Sequence, residues 1–113
     1  MNIKTALDFY KSKLDAFTLD PKTCELAVIE SGYLVGGIIP GTDQTGQTDK
    51  EFLDSLTHLD ALGIRYFVGY WQGALDAVVV VPYPSTARGL GRAWGQKAIG
   101  RYANGEYVKT IGL

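Results

Sequence analysis

From Ile3 to Phe17 the apolar residues Ile3, Leu7, Tyr10, Leu14 and Phe17 recur every three or four positions, with Lys4, Asp8, Lys11 and Asp15 between them. One side of an α-helix has that period, so the pattern predicts a helix over 3–17, started by the side chain of Asn2 and closed before Pro21. The period then changes. In CELAVIESGYLVGGII two apolar runs rich in β-branched residues flank Ser31-Gly32, which predicts strands over 24–30 and 33–39 joined by a tight turn. Each run is largely apolar on both faces, so cover on both sides is expected, and Gly36-Gly37 marks a bulge or the close approach of another backbone.

Residues 40–47, PGTDQTGQ, are polar and predict a loop. Thr48 and Glu51 have capping-box spacing, and Phe52, Leu56 and Leu59 form a stripe with Leu53 and Leu62 beside it; a helix is predicted to run to Leu62 and stop at Gly63. IRYFVGYWQ alternates, with Ile64, Tyr66, Val68 and Tyr70 on one face and Arg65, Phe67 and Trp71 on the other. Gln72-Gly73 turns the chain into ALDAVVVVP, whose four valines predict a strand at or near the centre of a sheet, ended by Pro82 and Pro84. Ser85 or Thr86 is the expected cap of a short helix weakened by Gly89, Gly91 and Gly95. Asn104-Gly105 then predicts a terminal hairpin over about 97–102 and 107–111. In order the elements are helix, hairpin, helix, hairpin, short helix, hairpin. That is an α+β fold, a five- to six-stranded, mostly antiparallel sheet of hairpins with two main helices packed on it.

Composition narrows the class. With 113 residues, 46% of them hydrophobic and 20% charged, the chain suits one domain, 1–113, built on one core. No apolar run approaches the roughly 18 residues of a membrane span, and the N-terminal stretch has no signal-peptide core; a soluble, unexported, cytoplasmic protein is expected. Cys24 is the only cysteine and His58 the only histidine. They close no disulfide within the chain and supply no structural zinc set, so neither a metal nor a cofactor is expected.

The formal net charge of -1 conceals an asymmetry. Residues 1–87 carry six basic side chains against eleven acidic ones, a balance of -5, whereas residues 88–113 carry Arg88, Arg92, Lys97, Arg101 and Lys109 against Glu106 alone, a balance of +4. Such a division points to an acidic or polyanionic partner for the basic part, unless the two parts neutralise each other within the fold or across a dimer.

Four groups of residues carry candidate chemistry. In PYPSTARGLGRAWG a glycine-rich turn after a buried strand opens a helix, and Ser85, Thr86, Arg88, Gly89, Gly91 and Arg92 supply donors and space for an anion. The spacing is neither GxGxxG nor GxxxxGK[ST]. Over VVVVPYPSTARGLGRAW the chain resembles the acetyl-CoA-binding turn of GNAT acyltransferases, in which a strand leads to Arg/Gln-x-x-Gly-x-Gly/Ala; Gly89 and Gly91 fall on its glycines, which implies CoA binding there. Thr86 stands where that family has Arg or Gln, and the 22 residues after Gly91 are too few for the family's remaining helix and strands. The second group is the basic tail with interleaved aromatics, Arg88, Arg92, Trp94, Lys97, Arg101, Tyr102, Tyr107 and Lys109, a composition that suits single-stranded nucleic acid, although the pI of about 5.7 is far below that of a dedicated nucleic-acid domain. Third are isolated titratable groups: Asp54 and His58 within reach on a helix, Cys24 beginning an apolar strand, and Asp76 inside a strand with Arg65 as its expected cation. They form no catalytic set. Fourth, Phe67 and Trp71 share one strand face and, with Trp94 and Arg101, make a candidate interaction surface.

The reading is a small non-catalytic binding domain that engages a protein partner or itself, with 85–101 as a basic, anion-contacting surface. A small accessory protein, such as an immunity, inhibitor or phage-encoded protein, has this make-up. The alternative is an enzyme or sensor that binds a phosphorylated small molecule, a nucleotide or CoA, at Ser85–Arg92, and nucleic acid is the third option.

Overall fold

In a computed structural model, which describes residues 2–38, 49–71 and 73–113, the elements follow in the order α1 (Ile3–Lys11), β1 (Ala16–Asp20), β2 (Glu25–Leu26), β3 (Gly32–Val35), α2 (Asp49–Ala61), β4 (Phe67–Trp71), β5 (Ala74–Val81), α3 (Pro84–Ala93), β6 (Ala98–Ala103) and β7 (Glu106–Gly112). The fold is α+β, with three helices and seven strands among the described residues where two main helices and five or six strands were expected. The strands form one curled sheet in the order β2-β1-β4-β5-β3-β6-β7, and every pairing is antiparallel.

The valine strand β5 lies at the middle of that order, as its apolar run predicts. It serves two neighbours along different halves of its length: Ala74 to Val78 pair with β4, and Val79 to Val81 pair with β3. The sheet is thus two offset halves that share β5, and each half has its own core. Ala6 and Leu7 of α1, with Phe52, Leu56 and Leu59 of α2, cluster with Phe17, Leu19, Tyr66, Val68, Leu75 and Ala77. Ala87 of α3, with Leu90 and Trp94, clusters with Tyr33, Val35, Val79, Val81, Ile99 and Ile111. Leu75, Ala77, Val79 and Val81 alternate along β5 and so project from one face, which places all three helices on the same side of the sheet. The face that carries Phe67, Asp76, Val78 and Val80 bears none of these helices.

Several elements depart from the sequence pattern. The helix begun by Asn2, whose side chain accepts from the Thr5 amide, ends at Lys11 instead of Phe17. Phe17 and Leu19 point the same way along β1, so the step of three that seemed to continue the helical stripe is the start of a two-residue alternation. The predicted hairpin over 24–39 does not form: β2 pairs with β1, β3 pairs with β5 and β6, and the connection between them passes β1, β4 and β5. Ile29 in this connection is buried although it belongs to neither helix-side core. Leu26 and Val28 are exposed, contrary to the expected cover on both faces. The α2 stripe and the positive-φ Gly63 match expectation, with Leu62 exposed beyond the helix end; Thr48 and the loop 40–47 lie outside the described residues. Neither Ser85 nor Thr86 caps α3. Its N-cap is Tyr83, without a side-chain bond, and Pro84 opens the first turn, where a missing amide costs nothing. Asn104 and Gly105, both at positive φ, turn β6 into β7 as predicted.

Candidate functional site

Ile99 and Arg101 project from the same face of β6, and Ile99 lies in the core beneath α3. Arg101 therefore stands on the helix side, one step beyond that core. Across the sheet it pairs with Tyr33 of β3 on one side and Lys109 of β7 on the other. The bare face of Gly91 in α3 meets Ile99 and Leu113. On the helix circumference Leu90 lies about 100° to one side of Gly91, whereas Arg88 and Arg92 lie about 60° and 100° to the other. Both arginines thus occupy the flank of α3 nearer β6 and β7. Lys97 stands by the end of β7, where its carbonyl accepts from the Leu113 amide at 2.9 Å. The five cations of the C-terminal quarter are all exposed and border one surface made by α3, β6 and β7.

Their electrostatic situation differs from that of four of the six other basic residues, Lys13 and Lys22 also being without an ion pair among the described residues. Among the described residues, Lys4, Lys11, Lys50 and Arg65 each form an ion pair, with Asp8, Asp49, Asp54 and Asp20 respectively. Arg88, Arg92, Lys97, Arg101 and Lys109 form none, so the acidic body does not neutralise the basic tail among these residues. The amides of Ser85 and Thr86 head an uncapped helix, whose positive end adds to the same field.

The predicted site residues do not all come together. Ser85, Thr86, Arg88 and Arg92 are exposed on α3, and Trp94 is half-buried against its core. Gly89 and Gly91 lie inside the helix, not in a turn before it. A Cβ at Gly91 would come within 2.5 Å of the end of the Leu113 side chain, which would have to shift, while Gly89 faces open space. Phe67 and Trp71 lie on β4, away from α3; Trp71 is exposed, and Phe67 is half-buried under the Arg65 guanidinium, 4.5 Å from its ring centre. Asp54 pairs with Lys50, 2.8 Å away, and not with His58. Cys24 sits in the turn before β2 at positive φ, with its thiol 3.8 Å from the Pro21 carbonyl. Among the described residues no group of histidine, cysteine and carboxylate side chains is arranged to hold a metal.

Asp76 does not pair with Arg65. Its carboxylate accepts from the Gly37 amide at 3.0 and 3.1 Å, so the close approach marked by Gly36-Gly37 is made by side chains, Asp76 and Gln96, and at Gly37 also by the Trp94 backbone carbonyl. Arg65 instead makes a two-pronged pair with Asp20, at 3.0 and 2.8 Å. That guanidinium, helped by the Lys22 amide, holds the Asp20 carboxyl below the usual range. A lowered folded-state pKa stabilises the fold above the unfolded value, near 3.9, and the contribution is lost as pH falls through the folded one. Asp20→Asn is therefore expected to lower the urea midpoint at pH 6 and to lose less of it than the parent on acidification to about pH 3. Equal acid sensitivity in the two proteins would rule out this role.

Two cavities lie in the α1–α2 half. One of about 220 Å³ is lined by Ile3, Leu53, Asp60, Arg65 and Tyr66 among others, and one of about 460 Å³ by Lys11, Leu14, Asp15, Tyr70 and Trp71. In the first, burial and the neighbouring Asp60 push the Tyr66 hydroxyl up to about 12, so it stays a neutral donor to that carboxylate, 3.0 Å away. Neither cavity includes Ser85–Arg92. Reading along the chain found the cations but missed Tyr33, which reaches them only through the β3–β6 pairing. Comparison with protein-family models, curated proteins and solved structures finds no match to this chain.

Proposed function

We propose that this is a non-catalytic binding domain whose α3–β6–β7 surface engages an acidic surface of a protein partner. One observation carries the reading: five exposed cations border one surface without a carboxylate partner among the described residues, while of the six basic residues elsewhere four are paired and Lys13 and Lys22 are not. Unpaired charges of one sign raise the local potential and steer an oppositely charged partner. A protein surface is favoured over a phosphorylated small molecule because the two glycines of the supposed phosphate turn are helical.

Although its formal net charge is -1, the protein is expected to be retained on a carboxylate cation exchanger at pH 7 and low salt, and to bind poly-glutamate with an affinity that falls as salt rises. The triple variant Arg88→Ala, Arg92→Ala, Arg101→Ala is expected to flow through the column and to lose poly-glutamate binding by at least about tenfold, with an unchanged melting temperature. Flow-through of the parent protein would overturn the proposal. A melting temperature raised by nucleotides or CoA, and not by poly-glutamate, would replace it with the small-molecule reading.

A further inference from the structure

The surface that holds these five cations also contains a sheet edge that is free among the described residues. Strand β7 is last in the sheet, is seven residues long, and is exposed at every position except Ile111. Its inner side bonds to β6, and among the described residues no strand pairs with its outer side. An exposed edge of this length is a template for a further strand. The opposite edge, β2, has only two residues. We infer that β7 receives an extended acidic segment of a partner protein as an eighth strand, an inference that rests on the binding function proposed above.

Charge selects this occupant over a second copy of the chain. Lys109 lies on the helix side of β7, directly across from Arg101, with Lys97 by the strand's end and Arg88 and Arg92 on the α3 flank; Glu106 is the only acid in the C-terminal quarter. Two β7 edges laid together would bring two such sets of cations onto one side of the joint sheet, which is unfavourable. A register shift between Arg101 and Tyr102 leaves Val108 without a partner in β6, and the twist it adds also opposes flat self-pairing. The straight part of the edge, Lys109–Gly112, suits a short segment. Side chains of an added strand alternate between faces. Those on the helix side meet Lys109, Arg101 and the arginines of α3, and those on the other side meet Tyr107 and Thr110, whose hydroxyls contact each other. The matching segment alternates acidic and apolar residues.

The probes are four labelled ligands measured by fluorescence anisotropy against the full chain: a seven-residue peptide of alternating Glu and Val, the same peptide with alternate amides N-methylated in either phase, an alternating Lys-Val peptide, and oligothymidylate. The Glu-Val peptide is expected to bind, to lose at least about tenfold in one N-methylated phase, because main-chain hydrogen bonds carry strand addition, and to slow exchange of the alternate amides within Lys109 to Gly112 that point away from β6. The Lys-Val peptide is expected not to bind. Equal binding of both N-methylated phases and the parent peptide overturns strand addition but leaves the acidic-partner function standing. No binding by Glu-Val or by poly-glutamate overturns both. Oligothymidylate that binds more tightly than Glu-Val, or a dimer in light scattering that Glu-Val peptide fails to dissociate, overturns the choice of occupant.

Discussion

Phe52→Ala is expected to cost about 3–5 kcal/mol of folding stability. Phe52 is 0% exposed and is the largest fully buried side chain of the core. It sits on α2 with Leu56 and Leu59, in one cluster with Leu19, Val68 and Ala77 of the sheet, so truncation removes both its apolar burial and the atoms its neighbours pack against. A domain of this size has about 5–15 kcal/mol in total, which makes the loss a large fraction of what holds it folded. Urea denaturation is expected to show a much lower midpoint at an unchanged slope. Leu62→Ala, one position past the end of α2 and 73% exposed, is the control and is expected to stay within about 0.5 kcal/mol. A Phe52→Ala cost below about 1 kcal/mol would contradict the packing of α2 on this sheet.

Asp76→Ala and Gly36→Ala are each expected to cost about 1–3 kcal/mol, and the double variant clearly less than their sum. Asp76→Ala removes the carboxylate that the Gly37 amide donates to. In Gly36→Ala the new Cβ runs into the Asp76 carboxylate itself, which then has to leave the same amide. The two substitutions destroy one bond by different routes, so the second has little left to remove. Thermal or urea unfolding of the four proteins in the cycle measures the coupling, and strict additivity would show that the two positions do not act through that bond. The cycle also tests the meaning of an acid in the middle of a valine strand. Asp76 fastens the segment leaving β3 onto β5, so its loss is expected to appear in stability.

The elements that local chemistry specifies were legible in the chain. A positive-φ Asn-Gly turn can join only two antiparallel neighbours, so β6 and β7 were paired on sequence alone, as were β4 and β5 around Gly73. The α2 stripe and the central place of β5 follow from periodicity and from an apolar run with no polar face. Where two periods coincide, the pattern misled: Phe17 continues the α1 stripe by spacing, yet it belongs with Leu19 in β1. Ser31-Gly32 resembled a hairpin turn because glycine permits one, but Gly32 at positive φ begins β3, where a Cβ would come within 3.0 Å of Val80 and the Val81 carbonyl.

The proposed surface divides along the same line. The sequence alone determined that positive charge gathers after Ala87 and that Arg101 and Lys109 belong to one hairpin, because both follow from composition and from a two-residue turn. Only the tertiary structure decided that Tyr33 lies beside Arg101, that Arg88 and Arg92 lie on the flank of α3 away from Leu90, that the acidic body leaves all five cations unpaired, and that β7 is an edge, the last two among the described residues. The reason is sequence separation. A turn between adjacent strands is encoded by the residues in it, whereas the pairing of β3 with β6 and the seating of α3 are chosen by which apolar faces bury each other, and no local pattern records that choice.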